Sequence, residues 1–522
     1  MSQMLKSSGA MGAATLASRV LGMVREMAYA RFMGDGPVAG AFTLAFTIPN
    51  LFRRLLGEGA LTAAFIPLFK EQEKTASEAE MWRSANAVLS ALVMFAAVAI
   101  ALVLAGLSLA LATTQFDART RLMLELLRVM FPYMGLVCLA AVFMGVLNAR
   151  GHFFIPALGA ALLNVVMIAS VFLLAPGFGT RLEEQIFALA FGVLVAGVAQ
   201  AAFQLPSLRR TGWRLAWVAP WGNDTVRAVV AKMGPGIIGV AAFQLNVTLV
   251  QLVSFWVDPV IVASFNYAVR LMELPQGVFG ISLATYLLTS LSGLAAEKKF
   301  PEFRATLGQG LSYLLVLNSL AAVLLLFLAE PIVRLLFERG EFGPEATRRA
   351  ALALQSLAPG LVAFSMVNIL ARAFYALGDT QTPMRISVFC LGVNLLLSVV
   401  LLEPLRQAGL GLANSITSCL NVWLLLRALR LKLGTLELPE VRRCLKPVLA
   451  AAIVVSILAW PGYRAWDTWL GHANLLAKLG AVFVPAMLAS ALYWAVLWAD
   501  KLPAAMEVAS LVKKRLHRSS RE

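Results

Sequence analysis

The sequence predicts an all-α polytopic membrane protein with fourteen membrane-spanning helices. Three observations carry this. The 522 residues are 60% hydrophobic and 14% charged, with a mean hydropathy of +0.79. A soluble domain is about 45–50% apolar and about 25% charged. Runs of about 20 apolar residues, enough to span the hydrocarbon core of a bilayer, recur along the whole chain. No long polar stretch separates them, so no extramembrane catalytic domain is expected.

Hydropathy places the spans at 9–33, 38–68, 84–112, 122–149, 153–176, 184–207, 228–256, 260–295, 304–336, 347–377, 383–404, 409–431, 444–463 and 475–499. An even number puts both termini on one side. One set of alternate loops carries Lys70, Lys74, Arg83, Arg150, Arg209, Arg210, Lys298, Lys299, Arg442 and Arg443, among others. The other set is poorer in cations and holds acids beside them. The basic set is expected in the cytoplasm, together with both termini and the tail KKRLHRSSRE. The first residues are not expected to be a signal peptide, because Arg19 and Arg25 interrupt the apolar run.

The net charge of +16 fits a basic cytoplasmic face better than a nucleic-acid partner. Cys138, Cys390, Cys419 and Cys444 are scattered without CxxC spacing, and three histidines lie far apart, so no metal and no cofactor are expected. A GxxxxGK[ST] phosphate loop and a GxSxG elbow are both missing, which argues against ATP hydrolysis by this chain.

A weak internal repeat organises the spans. LNARGHFFIPALGAALLN places Gly151 five residues before Pro156, and YALGDTQTPMRISVFCLGVN places Gly378 five residues before Pro383. The starts of spans 1 and 7, and the broken spans 2 and 8, match at similar offsets. Six helices thus occur twice with one orientation, as parallel repeats. The expected organisation is a lobe at 1–220, a lobe at 221–435, two added helices at 436–500 and a basic cytoplasmic tail at 501–522.

Charges inside the spans concentrate in the leading helices of the two repeats. Span 1 carries Arg19, Arg25 and Glu26; span 2 carries Arg53, Arg54 and Glu58; span 8 carries Arg270 and Glu273. A charge at the bilayer centre costs roughly 2.5–3.5 kcal/mol on insertion scales, which a water-filled cavity between the lobes would largely remove. The alternative is local pairing or snorkelling. Arg54 with Glu58 at i, i+4 and Arg270 with Glu273 at i, i+3 can each meet on one helix face. Arg53 points about 100° away from Arg54 and is the better cavity candidate. Gly22, Pro49, Gly57, Gly59, Pro275 and Gly277 cluster in the same spans and are candidate hinges, ordinary close packing being the plainer alternative.

The elements SRVLGMVRE, AFTLAFTIPNLFRRLLGEGALTAAFIPLF and NYAVRLMELPQGVFGISLATYLLTSLS resemble the lipid II flippase family (MurJ, also called MviN), from about residue 5 to about residue 500. The resemblance implies the fold of the MOP exporter superfamily, MATE-like. That fold has two six-helix lobes around a central cavity and two C-terminal helices whose groove holds a lipid tail. It implies transport of undecaprenyl-diphosphate-MurNAc-pentapeptide-GlcNAc from the inner to the outer leaflet of a bacterial inner membrane. On the family's pattern Arg19, Arg25, Arg53 and Arg270 bind substrate, and Glu26, Arg54, Glu58 and Glu273 serve gating or ion pairing. Where this chain has Gly40, Thr47, Val269 and Thr289, the family has an acid, a lysine, an aspartate and a proline, so gating roles for acids at 40 and 269 do not carry over.

A diphosphate needs fixed donors, and arginine stays charged and offers forked hydrogen bonding. The expected function is therefore a lipid II flippase working by alternating access, a transporter and not a bond-making enzyme. Its expected partners are lipid II and membrane lipids, with a counter-ion and the cell-wall synthesis machinery as further candidates. The nearest rival is another exporter of the superfamily, for polysaccharide lipids or drugs; a drug/cation antiporter would want a net acidic cavity. A membrane enzyme on a polyprenyl diphosphate would want Asp or Asp/His metal clusters, and a scaffold has no use for intramembrane arginines.

The orientation is testable with an impermeant thiol reagent on whole cells carrying a cysteine-free variant. Gly343→Cys should label and Ser519→Cys should not; the opposite pattern reverses the topology.

Overall fold

The computed structural model describes residues 2–55, 61–503 and 505–507, and these form helices without a strand among them. In chain order the helices are α1 (Ser2–Met33), α2 (Pro37–Phe52), α3 (Thr62–Thr75), α4 (Glu78–Thr113), α5 (Ala118–Met130), α6 (Tyr133–Ala149), α7 (Phe154–Ala169), α8 (Leu182–Ala202), α9 (Leu205–Arg210) and α10 (Asp224–Val257). They continue as α11 (Pro259–Pro275), α12 (Ser282–Ala296), α13 (Phe300–Phe327), α14 (Ala329–Phe337), α15 (Pro344–Leu357), α16 (Leu361–Ala376), α17 (Gln381–Leu433), α18 (Pro439–Leu470) and α19 (Leu475–Ala499). Local chemistry sets several starts. Ser77 and Glu80 form a reciprocal capping box at α4. The side chains of Asn223 and Asn474 accept from Val226 N and Ala477 N to open α10 and α19.

Eight helical stretches are long and apolar enough to cross a membrane among the described residues. Helices α5 and α6, bent by 41°, make a ninth. Pro132, which has no N–H to donate, sits at that bend. The stretch Gln381–Leu433 counts once there, although Arg406, at φ 50, is a non-helical break within it. Helices α2, α3, α11 and α12 fall short because a break cuts each apolar run into pieces of 16, 14, 17 and 15 residues. The count of fourteen stays an expectation, since it needs those two broken pairs, α1 and α10 to cross as well and α17 to cross twice.

Packing groups the chain into two compact units, Met1–Ala263 with Arg339–Phe342, and Ser264–Glu338 with Gly343–Glu522. In the first, Phe42, Leu126, Met130, Ile186, Leu189 and Val193 pack α2, α5 and α8 together. A second cluster gathers Phe65, Phe69, Trp82 and Phe143 around Trp213, whose ring stacks on Trp82 at 5.7 Å. In the second unit, Leu287, Leu307, Ile369, Phe374 and Leu425 join α12, α13, α16 and α17. Val448, Val455, Ala481 and Tyr493 join α18 and α19 to α13. Between lipid-embedded helices such close packing, more than water exclusion, supplies the cohesion.

Three consecutive helices of the expected repeat recur at one spacing. The broken pair α5–α6 and helix α7 begin at 118, 133 and 154; α15, α16 and α17 begin 226 to 228 residues later. The turns that follow α6 and α16 carry one hydrogen-bond pattern. His152 N donates to Leu147 O and Gly151 N to Asn148 O; Asp379 N donates to Phe374 O and Gly378 N to Tyr375 O. Both glycines are left-handed, at φ 82 and 73. This is the Schellman closure, and a residue with a Cβ at either position would be strained. The second turn adds an ion pair, Lys432 Nζ to Asp379 Oδ2 at 2.6 Å. Lys432 and the Thr382 N–H hold the Asp379 carboxyl well below the usual carboxylate range. Its contribution is therefore present above the unfolded value and lost as pH falls through the lower folded one.

Within the first unit the segment Arg339–Phe342 docks on the turn after α1. Glu341 N donates to Arg31 O at 3.0 Å. Gly340 is left-handed at φ 59, and a Cβ there would lie 2.3 Å from Arg31 O. The left-handed backbone alone costs a residue with a Cβ roughly 1–2 kcal/mol. Gly340→Ala should therefore undock the segment and lower the melting temperature in detergent by several degrees. Gly343→Ala, with open space around its Cβ, should melt like the parent protein. Equal melting of both variants would remove the docking role.

Candidate functional site

In the first unit the candidate residues sit on α1 and at the end of α2. Arg25 donates to Glu26, which is buried at 3% exposure, and its guanidinium lies 5.4 Å from the centre of the Tyr29 ring. Burial makes each charge expensive alone, so the pair and the ring face offset one another. Arg19 is exposed. It lies seven residues before Glu26 and so shares its helix face, about 10 Å away along the axis. Gly22, between them, is half-buried and has the Asn164 amide 3.7 Å from where a Cβ would be. That amide donates to Ser18 O at 3.1 Å, fastening α7 to α1.

Pro49 is buried in the last turns of α2. It removes one helical donor, and residues 53–55 continue as a wider π-helical turn. The two adjacent arginines part there. Arg53 Nε donates to Asn50 Oδ1 at 2.7 Å, on its own helix. Arg54 Nη1 reaches Gln244 Oε1 of α10 at 3.2 Å. The expected partner of Arg54, Glu58, and the candidate hinges Gly57 and Gly59 lie outside the described residues.

In the second unit Arg270 donates to Glu273 Oε2 at 2.9 Å, one turn along α11. The two side chains are 35% and 48% exposed, so the pair is worth only about 0.3–0.5 kcal/mol. Pro275 ends α11, and the π-helical turn Gln276–Ile281 leads into α12. Gly277, in that turn, is buried. A π-helical break thus holds Arg53 and Arg54 at the end of α2, and another follows Arg270 at the end of α11.

Among the described residues no three His, Cys, Asp or Glu side chains lie close enough to hold a metal. The chemistry on offer is anion binding by guanidinium groups beside buried amides and carboxylates. Sequence reading missed Gln244 and Asn50. Asn50 had a legible signal, three residues before Arg53 on one face; Gln244 is one of several amides on α10, with Asn246 and Gln251, and its partner lies 190 residues away. The missing acid at position 40 has a steric counterpart. A Cβ on Gly40 would lie 2.2 Å from Pro259 O, so α2 and the α10–α11 turn touch where a side chain would stand. Asp258, beside that proline, accepts from Val260 N at 3.0 Å. Thr47 turns its hydroxyl to Thr43 O on its own helix.

A family described as "Lipid II flippase MurJ" matches residues 29–479. The lipid II flippase MurJ of Burkholderia cenocepacia is 32% identical over 495 residues, covering 93% of this chain and 95% of that protein. The probable lipid II flippase MurJ of Vibrio cholerae is 31% identical over 501 residues, covering 92% and 94%. Among solved structures, a lipid II flippase MurJ in an inward closed conformation matches with a TM-score of 0.75 at 21% identity, covering 93% of this chain and 99% of that one. An inward-facing MATE multidrug transporter of the MOP superfamily matches at 0.65 and 14% identity, covering 80% and 94%. At those identities the structural likenesses speak to the fold, which is the helical fold shared by MurJ and MATE proteins. The sequence relationship carries the family, and the chain belongs to the lipid II flippase MurJ family.

Proposed function

We propose that the protein moves lipid II from the inner to the outer leaflet of the bacterial inner membrane. It does so by alternating access between two six-helix lobes, 1–220 and 221–435, with both termini in the cytoplasm. The observation that supports this most is the family match across residues 29–479, a stretch that contains Arg53, Arg54 and Arg270 and the breaks beside them. The pair of helices at 436–500 holds the polyprenyl tail. The reaction makes and breaks no covalent bond.

The mechanism rests on exchange of ion partners. Without substrate, Glu26 neutralises Arg25 and Glu273 neutralises Arg270. The carboxylates act as place-holders: they keep the guanidinium groups from facing an apolar surround uncompensated. The diphosphate, with about two negative charges and many acceptor oxygens, displaces them and binds Arg19, Arg25, Arg53 and Arg270 by charge-assisted, forked contacts. The released acids bias the gates, and the proline- and glycine-bearing breaks at Pro49, Pro275 and Gly277 let the helices bend. Membrane potential adds a driving term. With the cytoplasm negative, moving two negative charges outward is favoured by roughly 4–5 kcal/mol at 100 mV.

A leaflet-specific assay for lipid II after depletion of the protein tests the proposal: the precursor should accumulate in the inner leaflet. Unchanged leaflet distribution would refute the transport reading. Within the site, Arg53→Ala should lose about one to two decades of substrate affinity, from a contact worth roughly 1.5–3 kcal/mol. It should fail to complement a flippase-depleted strain at equal protein level, and Arg53→Lys should rescue in part, since it keeps the charge and loses the fork.

Arg54 acts locally. Arg54→Ala should complement while lowering thermal stability, and the melting shifts of Arg54→Ala and Gln244→Ala should be non-additive in the double variant. Strict additivity would show that the Arg54–Gln244 contact carries nothing, and complementation by Arg53→Ala alone would exchange the two roles.

A further inference from the structure

The second unit carries a basic groove that the transport site does not use. Helix α17 closes at Gly434, left-handed at φ 75, and α18 opens at Pro439. Between the two helix ends lies an open groove of about 510 Å³. Arg427, Arg430 and Arg442 line it with Trp423, Leu436 and Val441. Trp423, Arg427 and Arg430 follow at four- and three-residue steps, so one face of α17 presents all three. Arg427 lies over the Trp423 ring, 5.6 Å from its centre. All three arginines are exposed, and no described carboxylate is within ion-pair distance of any of them. Their neighbour Lys432, by contrast, is paired with Asp379. Three cations thus line one groove, and among the described residues neither Glu437 nor Glu440 of the same turn forms an ion pair with any of them.

The surroundings say what would supply that charge. Helices α17 and α18 are both long and apolar enough to cross a membrane, and the groove sits at the turn between them. Leu431 follows Arg430 on α17, and Leu445 and Leu449 follow Arg442 one and two turns along α18; they are 78%, 47% and 54% exposed, apolar surface suited to acyl chains. Trp423 is 55% exposed, as a tryptophan at the headgroup boundary is expected to be. An anion with no tail would meet the arginines and leave the leucines bare. We propose that this groove binds the phosphate headgroup of an anionic glycerophospholipid, with the acyl chains lying along α17 and α18. The guanidinium groups grip the phosphodiester and the tryptophan indole lies at the glycerol level. The headgroup chemistry rests on the groove alone; its placement in the cytoplasmic leaflet rests on the orientation proposed above.

The test uses the full-length protein in mild detergent with phosphatidylglycerol or phosphatidylcholine, and reads retained lipid by native mass spectrometry. The parent protein should retain phosphatidylglycerol in preference to phosphatidylcholine. A basic residue near a membrane surface contributes about a fivefold gain for anionic lipid, so Arg427→Gln, Arg430→Gln and Arg442→Gln should each weaken retention about fivefold and the triple variant by roughly a hundredfold. Arg209→Gln with Arg210→Gln, a basic pair outside the groove, should change nothing. Millimolar inorganic phosphate should not displace the lipid. Should the triple variant fold poorly, the three single variants carry the comparison. Undiminished retention in the arginine variants, or displacement by inorganic phosphate alone, overturns the proposal. Transport is not read in this assay, so a failure of the flippase reading would show only in the leaflet distribution of lipid II.

Discussion

A guanidinium carried into an apolar helix has to be met by something, and the candidate site is organised by that requirement. Arg25 meets a buried carboxylate and an aromatic face, Arg54 meets a buried amide on another helix, and Arg270 meets a carboxylate one turn along. The three solutions differ in strength. The Arg25–Glu26 pair lies in a buried setting where breaking it would leave an uncompensated charge. The Arg270–Glu273 pair is half open to its surroundings and weak. The first pair is thus fixed by its burial, and the second is held only by the geometry of one helical turn.

The backbone answers the same environment. A helix that breaks inside an apolar run exposes carbonyls and amides that lipid cannot satisfy. Both breaks near the arginines are π-helical turns, which widen the helix and keep most of its hydrogen bonds. Proline initiates each: Pro49 lies four residues before Arg53, and Pro275 stands at the junction itself. Charge and helix irregularity thus come at the same place, so that polar backbone and polar side chains occupy one patch and the rest of each helix stays apolar.

The C-terminal helix pair is held in the second unit by a different device. Tyr493 donates to Val316 O at 2.7 Å from a fully buried position. At the other end Arg334 of α14 bonds Glu330 at 2.7 Å and the Tyr463 hydroxyl at 2.8 Å, and Lys478 of α19 reaches Glu338 at 3.4 Å. Small residues, Ala451, Ala459, Ala481 and Ala489, let α18 and α19 approach closely between these anchors. The alanine spacing is visible in the sequence; the Arg334 cluster joins residues from three helices and is not.

By itself the sequence determined the helical class, the membrane environment, the paired glycine–proline turns and the family. These follow from properties that are local or additive: apolar run length, the distribution of lysine and arginine, and glycine–proline spacing such as Gly151–Pro156 and Gly378–Pro383. The pairing of Arg270 with Glu273 was equally legible, because three residues on a helix fix a distance. Tertiary structure alone decided that Arg54 reaches Gln244, that Gly40 gives way to Pro259, and that Arg427, Arg430 and Arg442 line one groove. Each of these depends on how helices distant in the chain cross one another, and a helical period specifies a face without naming the partner that will cover it.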